Sequence, residues 1–400
     1  MNRELLQRLI LAFYMPSVLL AIAWAVMSPV LPVYASTLTE SYLLVGVILA
    51  VTSLGRVFGS LPASWLLTRF GIRNTMLIGI ALMLSPALAL YLVRNLWLII
   101  GLLFVVGIGL AIFSIARHTY ISVAVPIVVR GRVISLLGGI FRAGLFVGPL
   151  IGGWVGGTFS LQTAFLAMFA IGISSVLFVL GFMRNLEASL PAPDEQQPRV
   201  SFGKMLRANY RVIGAAGAGQ WLAMLTREGW RVLIPLYAAN VLQLDVQTIG
   251  LVMGFGAAFD MLFFWLSGIL MDRFGRKWAI VPSFIMQATG TALILVASNP
   301  LMLTIFAAFI GFANGISSGT MMTVGADLAP PDTRSEFLSL WSFIGDMGGV
   351  SGPMIVGAVA QAFIIQISIL SIAGAGFGAA ILFAVFVPET LKKRKTVPHT

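Results

Sequence analysis

Four ionisable side chains fall inside long apolar stretches and share one spacing. Arg56 and Arg142 lie in the first half of the chain. The residues 204 positions further on are Asp260 and Asp346. An ionised side chain in hydrocarbon costs about 2.5–3.5 kcal/mol or more, so each should face a cavity or an oppositely charged partner. Protonating an aspartate removes its attraction for an arginine. These residues could therefore link proton binding to a change in packing.

A second charged cluster lies in one apolar stretch near residue 230. Arg227 and Arg231 are four residues apart and share a helix face, and Glu228 can reach Arg231. Trp230 adds aromatic surface beside them. Guanidinium groups bind anions, so this cluster predicts a substrate cavity that accepts an anionic or polar group. The alternative is a local Glu–Arg pair near the outer surface.

The composition requires a lipid environment. The chain has 400 residues, of which 59% are hydrophobic and 10% charged, whereas soluble domains carry roughly 25% charged residues. Such a chain must be solvated by the bilayer. With no cysteine and only His118 and His399, thiolate chemistry and a His-rich metal site are excluded, and no cofactor is expected.

An enzyme is not expected either. A membrane enzyme would need nucleophile, base or metal ligands clustered at one depth, and the sequence has no such cluster. The absence of a G-x-x-x-x-G-K motif argues against direct use of ATP. A non-transporting receptor or scaffold, which usually carries a larger soluble domain, is a remote alternative.

A repeated loop sequence reveals two related halves. Arg69-Phe70-Gly71 recurs as Arg273-Phe274-Gly275, again 204 residues apart. Near the start of each half the offset is 203 residues. The 204 offset also matches Gly46 with Gly250, Gly107 with Gly311, Gly144 with Gly348, and Gly148-Pro149 with Gly352-Pro353. Parallel repeats with a binding site between them near the bilayer midplane are an architecture of membrane transporters.

Twelve apolar stretches are long enough to cross the hydrocarbon core. The first six lie near 9–34, 42–67, 75–93, 97–123, 133–155 and 162–184. The second six lie near 208–238, 247–271, 277–297, 301–329, 335–359 and 366–388. The predicted fold is an all-α membrane protein of two pseudosymmetric six-helix bundles. Its domains are an N-terminal bundle at 1–184, a polar linker at 185–207, and a C-terminal bundle with a basic tail at 208–400.

Basic residues predict the orientation. The odd-numbered connections hold only Glu40, Arg94 and Asp245 as charged residues, whereas most Lys and Arg fall in the other connections, the linker and the termini. This asymmetry predicts a multi-pass protein of the cell (inner) membrane with both termini in the cytoplasm. The basic cluster 392–395 is typical of a topology and anionic-lipid signal, so no nucleic-acid partner is expected. The first apolar stretch is expected to be a retained helix, and the chain to act as a monomer.

One loop resembles a known family motif. The residues concerned are Gly268, Asp272, Arg273, Gly275, Arg276 and Lys277. They resemble the G-x-L-a-D-r-x-G-r-k loop of the major facilitator superfamily, and the resemblance implies a conformational latch between the halves. Asp272 could lie near the N-terminus of a neighbouring helix, and Gly275 allows a tight turn. The alternative is a simple turn with basic residues at the headgroups. The first copy has Ser64 and Thr68 in place of the Gly and Asp, so Asp272 would carry the latch alone.

A glycine-rich stretch resembles a second motif of that superfamily. It comprises Gly144, Gly148, Pro149, Gly152 and Gly153. This pattern is similar to the antiporter motif found mainly in drug:proton exchangers. The alternative is close helix packing alone, because glycine lets helices approach and the Gly-Pro pair recurs in the eleventh stretch.

The resemblance covers essentially the whole chain. It implies a secondary active transporter that alternates between inward- and outward-open states. Proton-coupled efflux of a small amphipathic compound or drug is the favoured expectation, and transport of an organic anion or other metabolite by symport or exchange is the alternative. In the family, helix 2 faces helix 11 and helix 5 faces helix 8, which predicts the pairs Arg56–Asp346 and Arg142–Asp260. These pairs would part during the cycle and couple a proton; the alternative is static pairing that only neutralises charge.

Overall fold

Almost every residue of the computed structural model is helical across the parts that it describes, residues 10–125, 127–183, 202–330 and 333–391. Helix α1 consists of a π turn, Ile10–Tyr14, followed by Met15–Ala25 and Met27–Leu38. Tyr42–Leu92 is continuous except for the non-helical backbone at Gly71, which separates α2 (42–70) from α3 (72–92). Then follow α4 (Leu96–Ala124), α5 (Ile127–Thr158) and α6 (Thr163–Phe182).

The second half repeats this order. Its helices are α7 (Phe202–Asn240), α8 (Val246–Arg273), α9 (Arg276–Leu293), α10 (Pro300–Ile316 and Thr320–Leu328), α11 (Arg334–Ala362) and α12 (Ile365–Val385). A short 3-10 turn, Ile294–Val296, follows α9. The described residues thus confirm the twelve predicted helices. Ten spans are long and apolar enough to cross a membrane; Tyr42–Leu92 counts twice, and α7, which carries three charges in its middle, completes the set.

The linker boundary differs from the prediction. The predicted linker extends to residue 207, whereas α7 begins at Phe202, because no proline interrupts residues 202–212 and a helix can continue beyond the hydrocarbon. Residues 185–201 of the predicted linker and the basic cluster 392–395 lie outside the described residues.

The two halves pack in the same way. In the first half α1 packs on α5 and α6, α4 packs on α2 and α3, and α3 packs on α6. In the second half α7 packs on α11 and α12, α10 packs on α8 and α9, and α9 packs on α12. Between the halves α5 packs on α8, and α2 packs on α11. The halves are therefore related by a pseudo-twofold axis.

Glycines make both contacts between the halves, and they use corresponding residues. A Cβ added to Gly250 would lie 2.8 Å from the Cα of Gly153, and one added to Gly46 would lie 3.0 Å from the Cα of Gly357. In both cases a proline carbonyl four residues earlier is also in the way. Only glycine permits so close an approach of backbones. Both contacts lie where α2 and α8 begin and α5 and α11 end, which we call the closed end.

The halves differ in the helix that precedes α5 and α11. α4 is continuous from Leu96 to Ala124, whereas α10 is interrupted at residues 317–319. Gly319 has a left-handed backbone with φ +73°, a conformation that favours glycine. The interruption falls near the middle of the bundle and leaves Thr320–Leu328 as a separate half-helix.

Candidate functional site

A cavity of about 190 Å³ lies between the two halves. Seven helices contribute to its wall: α1, α2 and α5 from the first half and α7, α8, α10 and α11 from the second. Its polar and aromatic lining residues are Trp24, Ser28, Thr52, Ser53, Glu228, Trp230, Arg231 and Asp260. The remaining lining is mostly apolar, and the volume would hold on the order of ten waters. The cavity therefore fits a small molecule with few polar groups.

Asp260 on α8 lines the cavity and pairs with Arg142 on α5. The Asp260 Oδ1 accepts from the Arg142 Nε at 3.4 Å, and the two side chains are only 10% and 16% exposed. Arg142 also donates to the Ser318 Oγ at 2.6 Å and to the Gly138 carbonyl at 3.2 Å. Its guanidinium lies over the Phe264 ring at 5.2 Å. This buried pair joins the first half of the chain to the second.

The related pair has a different environment. The Arg56 Nη2 lies 3.8 Å from the Asp346 Oδ1, and these side chains are 51% and 39% exposed. A separation of 3.8 Å is an ion pair without a hydrogen bond. The structure thus brings together both Arg–Asp combinations named from the sequence, one buried and one exposed. Their part in proton coupling stays a prediction.

The charged cluster of α7 faces the cavity in part. Glu228 and Arg231 both line the cavity and form an ion pair at 2.6 Å. The Arg231 guanidinium lies over the Trp230 ring at 5.5 Å. The Trp230 Nε1 is buried and has no hydrogen-bond partner among the described residues. A ligand in the cavity would meet an aromatic ring and a paired arginine.

The position of Arg227 differs from the prediction that it lines the cavity. It is not among the lining residues and turns into the C-terminal half instead. Its Nη2 donates to the Ser317 Oγ at 2.9 Å and to the Ser317 carbonyl at 3.3 Å, and it lies over the Phe284 ring at 5.2 Å. One turn of an α-helix takes 3.6 residues, so side chains four residues apart are rotated by about 40° about the helix axis. This rotation allows Arg227 and Arg231 to point to different sides.

The sequence analysis did not predict some of the residues that line the cavity. Trp24 and Ser28 on α1 stand 203 residues before Arg227 and Arg231, and both line the cavity. They lack charge, so residue type gave no signal. The repeat could have found them, because a cavity on a pseudo-twofold axis takes corresponding positions from both halves.

The glycine motif of α5 provides close packing. Gly144, Gly148 and Gly152 lie against the backbone of α1, and Gly153 lies against α8. Pro149 lines the cavity. The corresponding glycines of α11 pack on α7 in the same way. Packing thus explains the glycines in both halves, and a specific role in antiport stays a prediction.

The loop between α8 and α9 is held by Arg276. This side chain is 15% exposed and contacts the Asp327 Oδ2 at 3.0 Å, the Met271 carbonyl at 2.8 Å and the Asp272 Oδ1 at 3.3 Å. Asp272 itself is 79% exposed. Among the described residues these contacts stay within the C-terminal half, so the loop does not bridge the halves in this structure, and the latch that the resemblance implied stays a prediction.

The other loop residues have simple roles. Gly275 has φ +116°, and its counterpart Gly71 has φ +74°, so both tight turns need glycine. Arg273 is exposed. A Cβ on Gly268 would meet open space, so packing does not require glycine there.

Glu389, which follows α12, caps the first turn of α9. Its carboxylate accepts from the backbone N–H of Arg276 at 2.9 Å and of Lys277 at 3.0 Å. Burial alone would raise the pKa of Glu389, but the backbone hydrogen bonds from Leu391, Lys277, Arg276 and Thr390 lower it overall. The sequence suggested Asp272 for a position near the N-terminus of a neighbouring helix, which stays a prediction. The acid at the start of α9 is Glu389, and no local pattern signals a contact across more than 100 residues.

Comparison with known proteins identifies related sequences and folds. A family model described as Major Facilitator Superfamily matches residues 16–259 and 216–400. A probable nitrate transporter, NarT, of Staphylococcus epidermidis is 23% identical over 345 residues, covering 82% of each chain. A putative niacin/nicotinamide transporter, NiaP, of Bacillus subtilis is 25% identical over 345 residues, covering 84% of this chain and 83% of that protein.

Solved structures agree on the fold. The nucleoside transporter NupG superposes with a TM-score of 0.77 at 15% identity, covering 95% of this chain and 100% of that one. A D-xylose–proton symporter superposes with a TM-score of 0.73 at 15% identity, covering 95% and 97%. At these identities the structural likeness establishes the fold alone.

Proposed function

The chain belongs to the major facilitator superfamily, and we propose that it couples proton binding at Asp260 to the transport of a small organic anion. It is a secondary transporter and a multi-pass membrane protein, not an enzyme. The proposal concerns three properties of this transporter, namely its coupling to protons, its anionic substrate and the direction of transport.

The position of Asp260 carries the proposal. This carboxylate lines the cavity and forms the buried ion pair with Arg142 of the opposite half. Protonation would neutralise Asp260 and release Arg142 from its partner. The freed guanidinium would add to the positive charge that attracts an anion to this region, and the contact between α5 and α8 would weaken. One proton and one monoanion would thus travel together, which is symport.

The charge around the cavity favours an anion. Among the described residues of this region, Arg142, Arg227 and Arg231 face two carboxylates, Asp260 and Glu228. One positive charge is left over. A charge in a low-dielectric interior is costly without a counterion, so a monoanion would restore neutrality. The names of two relatives refer to nitrate and to niacin/nicotinamide; nitrate and niacin are anions at neutral pH, whereas nicotinamide is neutral.

Efflux of amphipathic compounds by proton antiport is the second candidate. The mostly apolar wall, with two tryptophans and two methionines among its residues, supports it. Met adapts its shape and so suits ligands of several shapes. The glycine motif of α5 adds less support, since packing explains it in both halves.

The orientation and state belong to the same proposal. The distribution of Lys and Arg supports cytoplasmic termini in an inner membrane, which would place the closed end outside. With the halves in contact at that end, the protein would be inward-open. The bundles at 1–184 and 208–400, joined by the linker, would rock as two bodies in a monomer.

The test is transport into proteoliposomes that contain a pH-sensitive dye. We expect addition of nicotinate or nitrate outside to acidify the lumen, because proton and anion enter together. Empty liposomes and Asp260→Asn protein serve as controls, and both should leave the lumenal pH unchanged. Antiport of a cationic compound such as ethidium would instead make the lumen alkaline. That result, with no response to any anion, would replace the proposal with its alternative.

A further inference from the structure

One arginine near the cavity forms no ion pair among the described residues. Arg227 lies within the C-terminal half against α9 and α10, whereas Asp260 pairs with Arg142, and Glu228 pairs with Arg231. The Arg227 Nε is buried and has no hydrogen-bond partner among the described residues. The residue as a whole is only partly buried, which leaves access to it. An unpaired buried charge calls for a counterion.

The Arg227 guanidinium points to the interruption of α10. It donates to both the Oγ and the carbonyl of Ser317, where the first part of that helix has just ended. The half-helix Thr320–Leu328 begins three residues later, and the N-terminus of a helix favours an anion. A Cβ on Gly319 would meet open space, so there is room beside this terminus. A buried cation and a helix N-terminus therefore meet at one place.

The first half differs at the corresponding positions. Arg227 and Ser317 correspond by the repeat to Trp24 and Phe113, and the helix that corresponds to α10 is continuous. That helix has a buried arginine of its own, Arg117, whose Nε also lacks a partner among the described residues, but no helix interruption lies beside it. Packing of a repeated scaffold alone therefore does not explain the contact between Arg227 and the interruption of α10.

We propose that Arg227 and the interruption of α10 form a binding site for a monoanionic group, either a carboxylate or a single inorganic anion. The site deepens the proposed function, since it locates the anion whose transport is proposed there. It is also joined to the coupling pair. Ser317 accepts from Arg227, and the adjacent Ser318 accepts from Arg142 of the other half. The affinity of Arg227 for an anion would therefore depend on whether Arg142 is paired with Asp260.

The test measures anion binding directly. Wild-type protein in nanodiscs is melted at increasing nicotinate, nitrate or chloride, with sodium sulfate holding the ionic strength constant. We expect a saturable rise in melting temperature, because a ligand that binds the native state stabilises it. Arg227→Gln should weaken the apparent affinity at least tenfold. Arg94→Gln, which removes an exposed arginine from the loop after α3, should keep the wild-type response.

A second variant guards against misfolding of Arg227→Gln. Ser317→Ala keeps the charge and removes one hydrogen bond, and we expect a loss of affinity of a few fold. Saturation by chloride would identify the site as one for a bound inorganic anion, and saturation by nicotinate alone would identify the carboxylate of a substrate. An equal anion response in wild type, Arg227→Gln and Ser317→Ala, or none in wild type, would overturn the site. Anion flux through wild-type protein, measured in the same preparation, separates the outcomes, because flux that is unaffected by Arg227→Gln overturns this site only, and absent flux overturns the proposed function.

Discussion

The two Arg–Asp pairs occupy corresponding places between the halves, yet their surroundings differ. Arg142–Asp260 is buried and receives support from Ser318. Arg56–Asp346 is longer and exposed. Charges interact more strongly in a low-dielectric interior than in water. The repeat therefore duplicated the positions of the charges but not the strength of their interaction, and the buried pair is the better candidate for coupling.

The glycine contacts at the closed end show the opposite behaviour. Gly46 and Gly250 approach the facing helix with nearly the same geometry. Backbone packing has stayed symmetric, whereas side-chain chemistry has diverged. The comparison shows that the two halves share their backbone packing and differ in the surroundings of the charged side chains between them.

The largest expected effect tests the difference between the two Arg–Asp pairs. Asp260→Asn leaves the buried guanidinium of Arg142 without its counter-charge, and removing one partner of a buried pair costs about 3–5 kcal/mol. Asp346→Asn should cost about 0–1 kcal/mol, because an exposed pair contributes little. Unfolding of both variants in lipid measures the difference. Equal losses would mean that the two environments do not differ in energy.

A second prediction tests the symmetry of the scaffold. Gly46→Val and Gly250→Val each force side-chain atoms against a facing backbone, and overpacking costs about 1–3 kcal/mol. We expect both to open the closed end to a similar degree. Since the chain has no cysteine, the single substitution Ser53→Cys in the cavity wall can report this as labelling by an impermeant thiol reagent. Gly101→Val, where a Cβ meets open space, is the matched control. A response to one substitution only would refute the symmetry.

A smaller effect is expected from Glu389→Gln, which weakens the cap on α9. Loss of a helix cap costs about 1 kcal/mol. The pKa of Glu389 is lowered in the folded protein, so its contribution is complete above the unfolded value of about 4.3 and is lost as pH falls through the lower folded value. Hydrogen exchange at Arg276 and Lys277 across a pH series measures this. If the variant and the wild type share one pH dependence, Glu389 is not the cap.

The smallest effect is expected at Asp272, the acid of the family loop motif. Its side chain is mostly exposed, and Asp272→Asn should change stability by about 0.5 kcal/mol or less. Arg276→Gln should do more, because Arg276 also holds Asp327 and a backbone carbonyl. The transport rates of the two variants are compared with that of the wild type. A tenfold lower rate in Asp272→Asn would support the hypothesis that this loop latches the halves together.

Much of the fold followed from the sequence because apolar length and a fixed repeat offset are properties of the chain itself. The offset related Arg56 to Asp260 and Arg142 to Asp346, and the family resemblance supplied the facing helices. The site was less accessible. Whether Arg227 turns toward the cavity depends on packing against α9 and α10, and the cap by Glu389 depends on a contact between distant segments. Neither leaves a periodic signal in the sequence.

The most direct measurement compares anion counterflow with proton-driven anion accumulation in proteoliposomes containing wild-type, Asp260→Asn or Asp346→Asn protein. Asn at position 260 imitates the protonated carboxylate, so counterflow should continue while accumulation driven by a proton gradient is lost. Asp346→Asn should retain both. Wild-type accumulation and proton movement in Asp260→Asn would contradict coupling at this residue.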